Sequence, residues 1–289
     1  MGELKEKMKK DMELKNLSER TIKTYLGCMK NFARHYGKSP DQMDHEAIRD
    51  FLYYLLKEKN SSQAAINQHY SALKFFYQTT LGRDWDALKI PRSRRIKKLP
   101  IVLSLKEVRD ILCKVEDLKN RTILTTVYSG GLRLREALNL EVADIDSQRM
   151  MIRVRQGKGN KDRYTLLGKR SLDMLRLYWQ RYRPKDLLFP STIRKGQPID
   201  STGVQKAFRE ALSKTTIRKK ATVHTLRHSF ATHLLEEGTE IPYIQNLLGH
   251  SDSRTTSIYL HVARKKILKV VSPVDLIDKE EEKPKQPKE

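Results

Sequence analysis

The chain contains 289 residues, with 58 lysines and arginines against 35 acidic residues, which gives a formal net charge of +23. Its length predicts about two domains, and the positive charge indicates a polyanionic partner, either nucleic acid or an anionic membrane surface. The sequence has no apolar run of about 18 residues, no apolar signal-peptide core near its start, and two cysteines, too few for a disulfide framework or a cysteine-based zinc site. We therefore expect a cytoplasmic protein without a membrane-spanning helix.

The excess of basic residues lies mainly in segment 91–98 and in the larger C-terminal part of the chain. A polybasic membrane anchor would instead cluster beside an amphipathic or lipidated segment. Charge that is spread over a whole folded region suits a long surface laid against a phosphate backbone. A surface charged only for solubility is the alternative.

Residues 1–90 are predicted to form a small helical domain. Ser18 can cap a helix that stops at Gly37. Asp44 can open a second helix and Ser62 a third, while a shorter helix precedes the first. Apolar residues recur at spacings of three and four along these segments, so we expect a bundle of four short helices.

Residues 91–99 are predicted to be a linker, because prolines bracket the segment and its apolar content is low. An extended basic segment can follow a nucleic-acid backbone between two domains. We therefore expect DNA contacts from its basic side chains, which are Arg92, Arg94, Arg95, Lys97 and Lys98. An ordinary solvated hinge is the alternative, and the two interpretations are compatible.

Residues 100–275 are predicted to form a second, mainly helical domain. Ser104 and Glu107 have the spacing of a capping box, and helical patterns continue to about Leu140. Apolar and basic residues then alternate over 151–155, which is typical of a half-exposed strand. A turn with two glycines and a second strand follow, and together they predict an antiparallel hairpin.

Helical patterns return after the hairpin and continue to about Lys269. They cover residues 170–183, 202–214, 225–237, 242–248 and 254–269. Residues 276–289 are charged and lack an apolar anchor, so we expect a disordered tail. The predicted fold class is mainly α, with an N-terminal four-helix domain and a mainly helical second domain that carries a small antiparallel sheet.

The segment from Tyr128 to Glu136 contains two glycines that can end one helix and allow the next to start. Arg133 falls near the first turn of that next helix, where backbone N–H groups also favour an anion. The alternative is an ion pair with Glu136, three residues further on. This segment alone is weak evidence for a site.

His224 and Arg227 are three residues apart, so a helix places them on one face. His228 lies four residues from His224, which is also a spacing seen in zinc sites. The zinc-protease pattern requires glutamate after the first histidine, where Thr225 stands, and Arg227 would repel a metal ion. We therefore expect no metal here.

A third segment runs from Leu247 to His261. Gly249 ends a helix and Ser253 can cap the next, which places Tyr259 near the middle of that helix. Taken by itself, Tyr259 is more often a buried core tyrosine than a reactive one.

Together these segments resemble the tyrosine recombinase (integrase) family, most of all its Xer branch, including archaeal Xer proteins. The matching boxes are Gly-Leu-Arg-Leu-Arg-Glu with Arg133, Gly-Lys-Gly-Asn-Lys with Lys158, His-x-x-Arg with His224 and Arg227, Leu-Gly-His with His250, and Ile-Tyr-Leu-His with Tyr259. Five boxes in the same order make the match specific, and it covers nearly the whole chain. The resemblance implies a four-helix DNA-clasping domain over residues 1–90, a basic linker over 91–99 and the catalytic domain over 100–275. Leu134 and Arg135 depart from the small residues that usually follow the first arginine.

The resemblance implies a reaction in which Tyr259 attacks a DNA phosphate, expels the 5′-hydroxyl and forms a 3′-phosphotyrosine without metal or other cofactor. A phenol with a pKa of about 10 is roughly one part in a thousand ionised at pH 7, so a base or a cationic site must activate it. By resemblance, His224 is the acid/base partner of the tyrosine and Lys158 is the acid for the leaving oxygen. Lys161 and Arg163 are expected to contact DNA phosphates.

The transition state carries extra negative charge on two non-bridging oxygens. Arg133 and Arg227 can hold these oxygens with fork-shaped donors that do not lose their charge, and His250 is a further donor. The implied partners are a double-stranded recombination site and three further copies of the chain, four protomers on two sites. The implied role is the resolution of chromosome dimers before cell division; a mobile-element integrase, a type IB topoisomerase-like enzyme and an inactive DNA-binding module are the alternatives.

Overall fold

The computed structural model describes residues 2–85, 90, 92, 99–155 and 162–249. The chain divides into two compact units, residues 1–97 and 98–289. In the part of the chain that is described, no helix has both the length and the apolar character needed to cross a membrane. Most of the predicted linker lies outside the described residues, so its bounds stay a prediction.

Four α-helices build the described part of the first unit: α1 (Gly2–Leu14), α2 (Glu19–Tyr36), α3 (His45–Lys57) and α4 (Gln63–Phe75). The predicted caps are confirmed, since the side chains of Ser18, Asp44 and Ser62 each accept a hydrogen bond from a backbone N–H in the first turn of α2, α3 and α4. Gly37 ends α2 in the left-handed conformation at φ +63°. A turn of π-helix over Phe76–Thr80 prolongs α4 and was not predicted.

The core of this unit collects side chains from all four helices, including Met8, Phe32, Phe51 and Leu73, each almost fully buried. Phe32 and Phe51 meet edge to face with ring centroids 5.0 Å apart, a favourable arrangement for aromatic pairs. The predicted four-helix bundle is therefore confirmed.

In its described residues, the second unit is mainly helical and contains one small sheet. Its helices are α5 (Leu105–Lys114), α6 (Leu118–Ser129), α7 (Leu134–Leu138), α8 (Lys169–Tyr182), α9 (Ser201–Ser213), α10 (Val223–Glu236) and α11 (Ile241–Leu248). The predicted capping box opens α5, because Ser104 and Glu107 exchange side-chain to backbone hydrogen bonds. The predicted fold class is confirmed.

The sheet has three antiparallel strands in the order β1 (Ile145–Asp146), β2 (Met151–Val154) and β3 (Arg163–Leu166). Strands β2 and β3 form the predicted hairpin, with Ile152 opposite Thr165. Strand β1 was not predicted, because two residues are too short to show an alternating pattern.

Helix α10 is buried along most of its length. Leu226 belongs to the main core of the unit, while Phe230 and Ala231 pack against α11 in a second cluster. The Ser229 hydroxyl also accepts a hydrogen bond of 2.9 Å from the Leu103 backbone N–H at the start of the unit. These contacts fix the position of α10, which carries two of the predicted site residues.

Candidate active site

A glycine turn places Arg133 against α10. Helix α6 ends at Ser129, and Gly131 then adopts φ +58°, in the left-handed region. A Cβ atom at Gly131 would lie 2.3 Å from Cδ1 of Phe230, so only glycine allows this approach between the turn and α10. Arg133 follows two residues later and immediately precedes α7.

Glu136 joins Arg133 through two contacts. The Arg133 backbone N–H donates a 2.8 Å hydrogen bond to the Glu136 carboxylate. Nη1 of Arg133 forms an ion pair with the same carboxylate at 2.6 Å. The pairing considered from the sequence is therefore present, and Glu136 also satisfies a backbone donor at the start of α7. The Arg133 side chain keeps 29% of its surface exposed.

Arg227 is the most buried of the predicted site residues described, with 1% of its side chain exposed. Its Nη1 donates to the carbonyl oxygen of Gly131 at 2.7 Å, and its Nη2 donates to that of Leu248 at 2.6 Å. Nη1 also lies 3.5 Å from Oε2 of Glu136. Arg227 therefore connects α10, the glycine turn and the end of α11.

Arg163, the first residue of β3, binds the same carboxylate. Its Nη2 and Nη1 lie 2.7 and 3.1 Å from the two oxygens of Glu136, and its Nε donates to the Leu247 carbonyl at 2.9 Å. Only 10% of the side chain is exposed. We predicted a phosphate contact for Arg163, but the structure places its guanidinium on protein acceptors.

Glu136 thus stands among three guanidinium groups, those of Arg133, Arg163 and Arg227. Burial by itself raises the pKa of this carboxyl, but the hydrogen bonds and charges of Arg163 and Arg133 outweigh it and lower the pKa to about 2. The carboxylate is therefore ionised at neutral pH. Three positive charges against one negative charge leave the cluster cationic, which suits an anionic ligand.

His224 and His228 lie one turn apart on α10, with ring centroids 4.4 Å apart. Partial desolvation of its ring, followed by the charges of Arg227 and Arg133, lowers the pKa of His224. Burial, then His224 and Arg227, lowers the pKa of His228 to about 4. Both rings are therefore favoured in the neutral form at pH 7, in which each has a nitrogen able to accept a proton.

The two described ends of the hairpin turn carry further ion pairs. Arg155 at the end of β2 binds Glu141 at 2.6 Å and the buried carboxylate of Asp144 at 2.8 Å. Arg153 binds Asp162 at 2.7 Å, and both of these side chains are almost half exposed. The buried Asp144 therefore anchors the hairpin just before residues 156–161, whereas the exposed Arg153 pair is a weak restraint.

The structure brings Arg133, His224 and Arg227 together in the second unit. Arg92 lies in the first unit, where its guanidinium faces the Tyr70 ring at 5.6 Å and donates to Asn67 at 3.3 Å. The other predicted site residues lie outside the described residues: Arg94, Arg95, Lys97, Lys98, Lys158, Lys161, His250 and Tyr259. Their assignments stay predictions.

The sequence did not reveal the link between Arg163 and Glu136, because 27 residues separate them and no periodic pattern connects a strand with a short helix. It also missed the 2.8 Å hydrogen bond between Tyr128 and His233. Within the described ranges, no group of three or more His, Cys, Asp or Glu residues is arranged to hold a metal ion.

Comparison with known families shows to which family the chain belongs. Residues 102–266 match the model of the phage integrase family, and residues 4–87 match the N-terminal SAM-like domain of phage integrases. The chain belongs to the phage integrase family. It is accordingly a tyrosine-type site-specific recombinase, as the order of its sequence boxes indicated.

Two curated relatives show how far the similarity extends. A Sinorhizobium fredii protein named integrase/recombinase y4qK is 45% identical over 96% of this chain and 90% of its own length. Tyrosine recombinase XerD of Staphylococcus aureus is 32% identical over 89% of this chain and 92% of its own length. Neither organism is an archaeon, so these relatives give no support to the expected likeness to archaeal Xer proteins.

Solved structures agree on the fold. The XerA recombinase is 27% identical, with a TM-score of 0.51 over 99% of both chains. A lambda integrase dimer bound to a COC′ core site is 18% identical, with a TM-score of 0.71 over 88% of this chain and 96% of the integrase chain. The second likeness concerns the fold alone.

Proposed function

We propose that this recombinase cuts and rejoins DNA through a 3′-phosphotyrosine intermediate on Tyr259. The observation that carries the proposal is the convergence of Arg133 and Arg227 on Glu136, beside His224. A cationic cluster with fixed guanidinium groups suits the charge that develops on a transferring phosphate.

Arg133 and Arg227 hold the two non-bridging oxygens of the scissile phosphate. Arg133 has its guanidinium partly exposed, so it meets the phosphate first. Arg227 is 1% exposed, so a phosphate reaches it only after the surrounding groups move apart. We therefore place a conformational step between DNA binding and cleavage.

Two different side chains transfer protons in this scheme, one at the attacking oxygen and one at the leaving oxygen. His224, whose pKa is lowered, is neutral at pH 7 and accepts the phenol proton as Tyr259 attacks phosphorus. The bond from phosphorus to the 5′-oxygen breaks, and Lys158 donates a proton to that oxygen. A 5′-hydroxyl of another strand later attacks the phosphotyrosine and releases the tyrosine. His250 is assigned as a further donor to the phosphate.

The experiment is a covalent-capture assay with Tyr259→Phe. Wild type is mixed with DNA and denatured, and protein–DNA adducts are then counted. Tyr243→Phe is the matched control, because Tyr243 is an α11 tyrosine with 64% exposure and no role in the proposal. We expect adducts with wild type and with Tyr243→Phe and none with Tyr259→Phe, which still binds DNA. An adduct with Tyr259→Phe contradicts the assignment.

The same assay tests independence from metal. Since guanidinium groups neutralise the phosphate in this scheme, adduct formation in excess chelator should stay within about twofold of its value with Mg²⁺. A loss of more than about tenfold on chelation contradicts this part of the proposal.

The proposed assembly is a cytoplasmic homotetramer on two double-stranded recombination sites, because strand exchange needs four cleavages. A lambda integrase tetramer bound to a Holliday junction shares the fold at 18% identity. Mass measurement of the protein with synthetic junction DNA should give four protomers per junction. Relaxation of supercoils without joint products between two sites would instead favour a topoisomerase.

We further propose that the biological role is the resolution of chromosome dimers, supported by 32% identity to XerD over most of both chains. A mobile-element integrase is the second candidate, favoured by 45% identity to the integrase/recombinase of Sinorhizobium fredii. Sequencing of DNA covalently trapped on the protein in its own cells separates the two. A single chromosomal locus supports dimer resolution, and element ends support integration.

A further inference from the structure

One guanidinium connects three parts of the second unit. Arg163 begins β3, its two Nη atoms bind the carboxylate of Glu136 on α7, and its Nε binds the Leu247 carbonyl near the end of α11. Along the chain, Lys158 lies five residues before Arg163 and His250 lies three residues after Leu247. Through Glu136, this side chain is therefore two contacts away from both Arg133 and Arg227.

Gly249, at the end of α11, lies against the Arg163 side chain. Gly249 adopts φ +63°, and a Cβ atom there would lie 2.8 Å from Cδ and 3.0 Å from Nε of Arg163. Contacts this short do not occur between real Cβ atoms and their neighbours, so a larger residue would displace the arginine. Glycine at the end of α11 therefore leaves room for the Arg163 side chain.

Arg153 provides a contrast on the same hairpin. Its ion pair with Asp162 has the same 2.7 Å distance as the Arg163 pair with Glu136, but about 47% of the Arg153 side chain is exposed. Exposed pairs of this kind contribute little to stability. The Arg163 contacts are shielded from solvent. They therefore restrict the positions of the groups they join more strongly than the exposed Arg153 pair does.

We propose that Arg163 is a positioning residue of the recombinase and not a phosphate contact. It orients Glu136, and through it Arg133 and Arg227, while it ties the base of the hairpin and the end of α11 to the same carboxylate. The inference rests on the proposed function, because it assigns Arg163 to the arrangement of that site. Its contacts use three nitrogen atoms held in one plane, Nε, Nη1 and Nη2. Lysine has a single side-chain nitrogen and cannot replace them.

The test compares Arg163→Gln, Arg163→Lys and the matched control Arg153→Gln in the full-length protein. Two quantities are measured: the single-turnover rate of adduct formation on a nicked site, and the dependence of DNA affinity on salt. We expect both Arg163 variants to lose roughly 10²-fold in rate, as misplaced catalytic groups do. Arg153→Gln should stay within about threefold of wild type.

The salt dependence separates the two roles. Each lost phosphate contact reduces the slope of log affinity against log salt by about 1, so we expect an unchanged slope for Arg163→Gln. A phosphate contact predicts a reduced slope for Arg163→Gln and recovery of both slope and rate in Arg163→Lys. That result, or a wild-type rate in either variant, overturns the inference.

A measurement on the unaltered protein guards against variants that fail to fold. In the wild type without DNA, the ¹H–¹⁵N signal of Arg163 Nε should exchange slowly with water, because this donor is bound to the Leu247 carbonyl. Exchange as fast as that of a solvated arginine contradicts positioning. Absence of wild-type adducts would contradict the proposed function instead, so the two failures are distinguishable.

Discussion

Arg227 on α10 and Leu248 at the end of α11 are joined by a 2.6 Å hydrogen bond from Nη2 to the backbone carbonyl. Carbonyl groups in the last turn of a helix lack partners within the helix. The buried guanidinium supplies a hydrogen-bond donor for one of these carbonyls at the end of α11. The same side chain holds the Gly131 carbonyl. Arg227 therefore has a structural function in addition to the proposed chemical one.

Arg227→Lys should affect both stability and chemistry. A lysine keeps the buried charge but cannot hold two carbonyls in a fixed plane, so we expect a loss of about 2–4 kcal/mol in the free energy of unfolding. The rate of adduct formation should fall by at least about 10²-fold. Arg209→Lys on the exposed face of α9 is the control, and equal urea midpoints for the two variants would contradict this account.

Gly131→Ala should destabilise the second unit. The residue has φ +58°, and the new methyl group would lie 2.3 Å from Phe230 and 3.0 Å from Leu248. Combined backbone strain and overpacking should cost about 2–4 kcal/mol, measured by thermal and urea unfolding. Gly203→Ala is the matched control, since nothing lies within 4 Å of its Cβ position; its stability should stay the same or rise by up to about 1 kcal/mol.

Acid should weaken the cluster through Glu136. The folded-state pKa of about 2 lies below the ordinary value of 4.5, so the ionised carboxylate stabilises the folded protein above pH 4.5. That contribution, about 3 kcal/mol in full, is lost as the pH falls from about 4.5 towards 2. Urea unfolding of wild type and Glu136→Gln at pH 6 and pH 3 should show a gap at pH 6 that narrows at pH 3. A gap of equal size at both pH values would contradict the shifted pKa.

The two histidines of α10 should titrate below the ordinary range. Because the folded pKa of His228 is lowered from 6.5 to about 4, its neutral form stabilises the protein above pH 6.5, and that contribution is lost as the pH falls through 6.5 towards 4. NMR titration of the ring signals should give a midpoint near 4 for His228 and one below 6.5 for His224. A His228 midpoint at or above 6.5 would show that the ring is solvated.

Local sequence signals predicted most of the helices, because each signal acts within one turn. Ser18, Asp44, Ser62 and Ser104 cap the helices they were expected to cap. The first strand of the hairpin was found from its alternation, and the second from its place after the turn with two glycines. Strand β1 and the π turn after α4 were missed, since neither produces a periodic pattern of its own.

The candidate site was only partly predictable. Family resemblance selected Arg133, His224 and Arg227, and the structure brings these three together in one unit. The partner shared by the arginines required three-dimensional information, because Glu136 meets Arg227 and Arg163 from distant parts of the chain. The sequence analysis predicted a phosphate contact for Arg163, because charge alone does not show whether a guanidinium faces solvent or a carboxylate.

The two ion pairs of Arg155 limit how far Lys158 can lie from the base of the hairpin. Arg155 is anchored by Glu141 and Asp144, and three peptide units separate it from Lys158. A fully extended chain covers at most about 3.6 Å per residue, so the Cα atom of Lys158 lies within roughly 11 Å of the Cα atom of Arg155. Lys158, as the proposed proton donor, would therefore act on a phosphate bound close to its own hairpin.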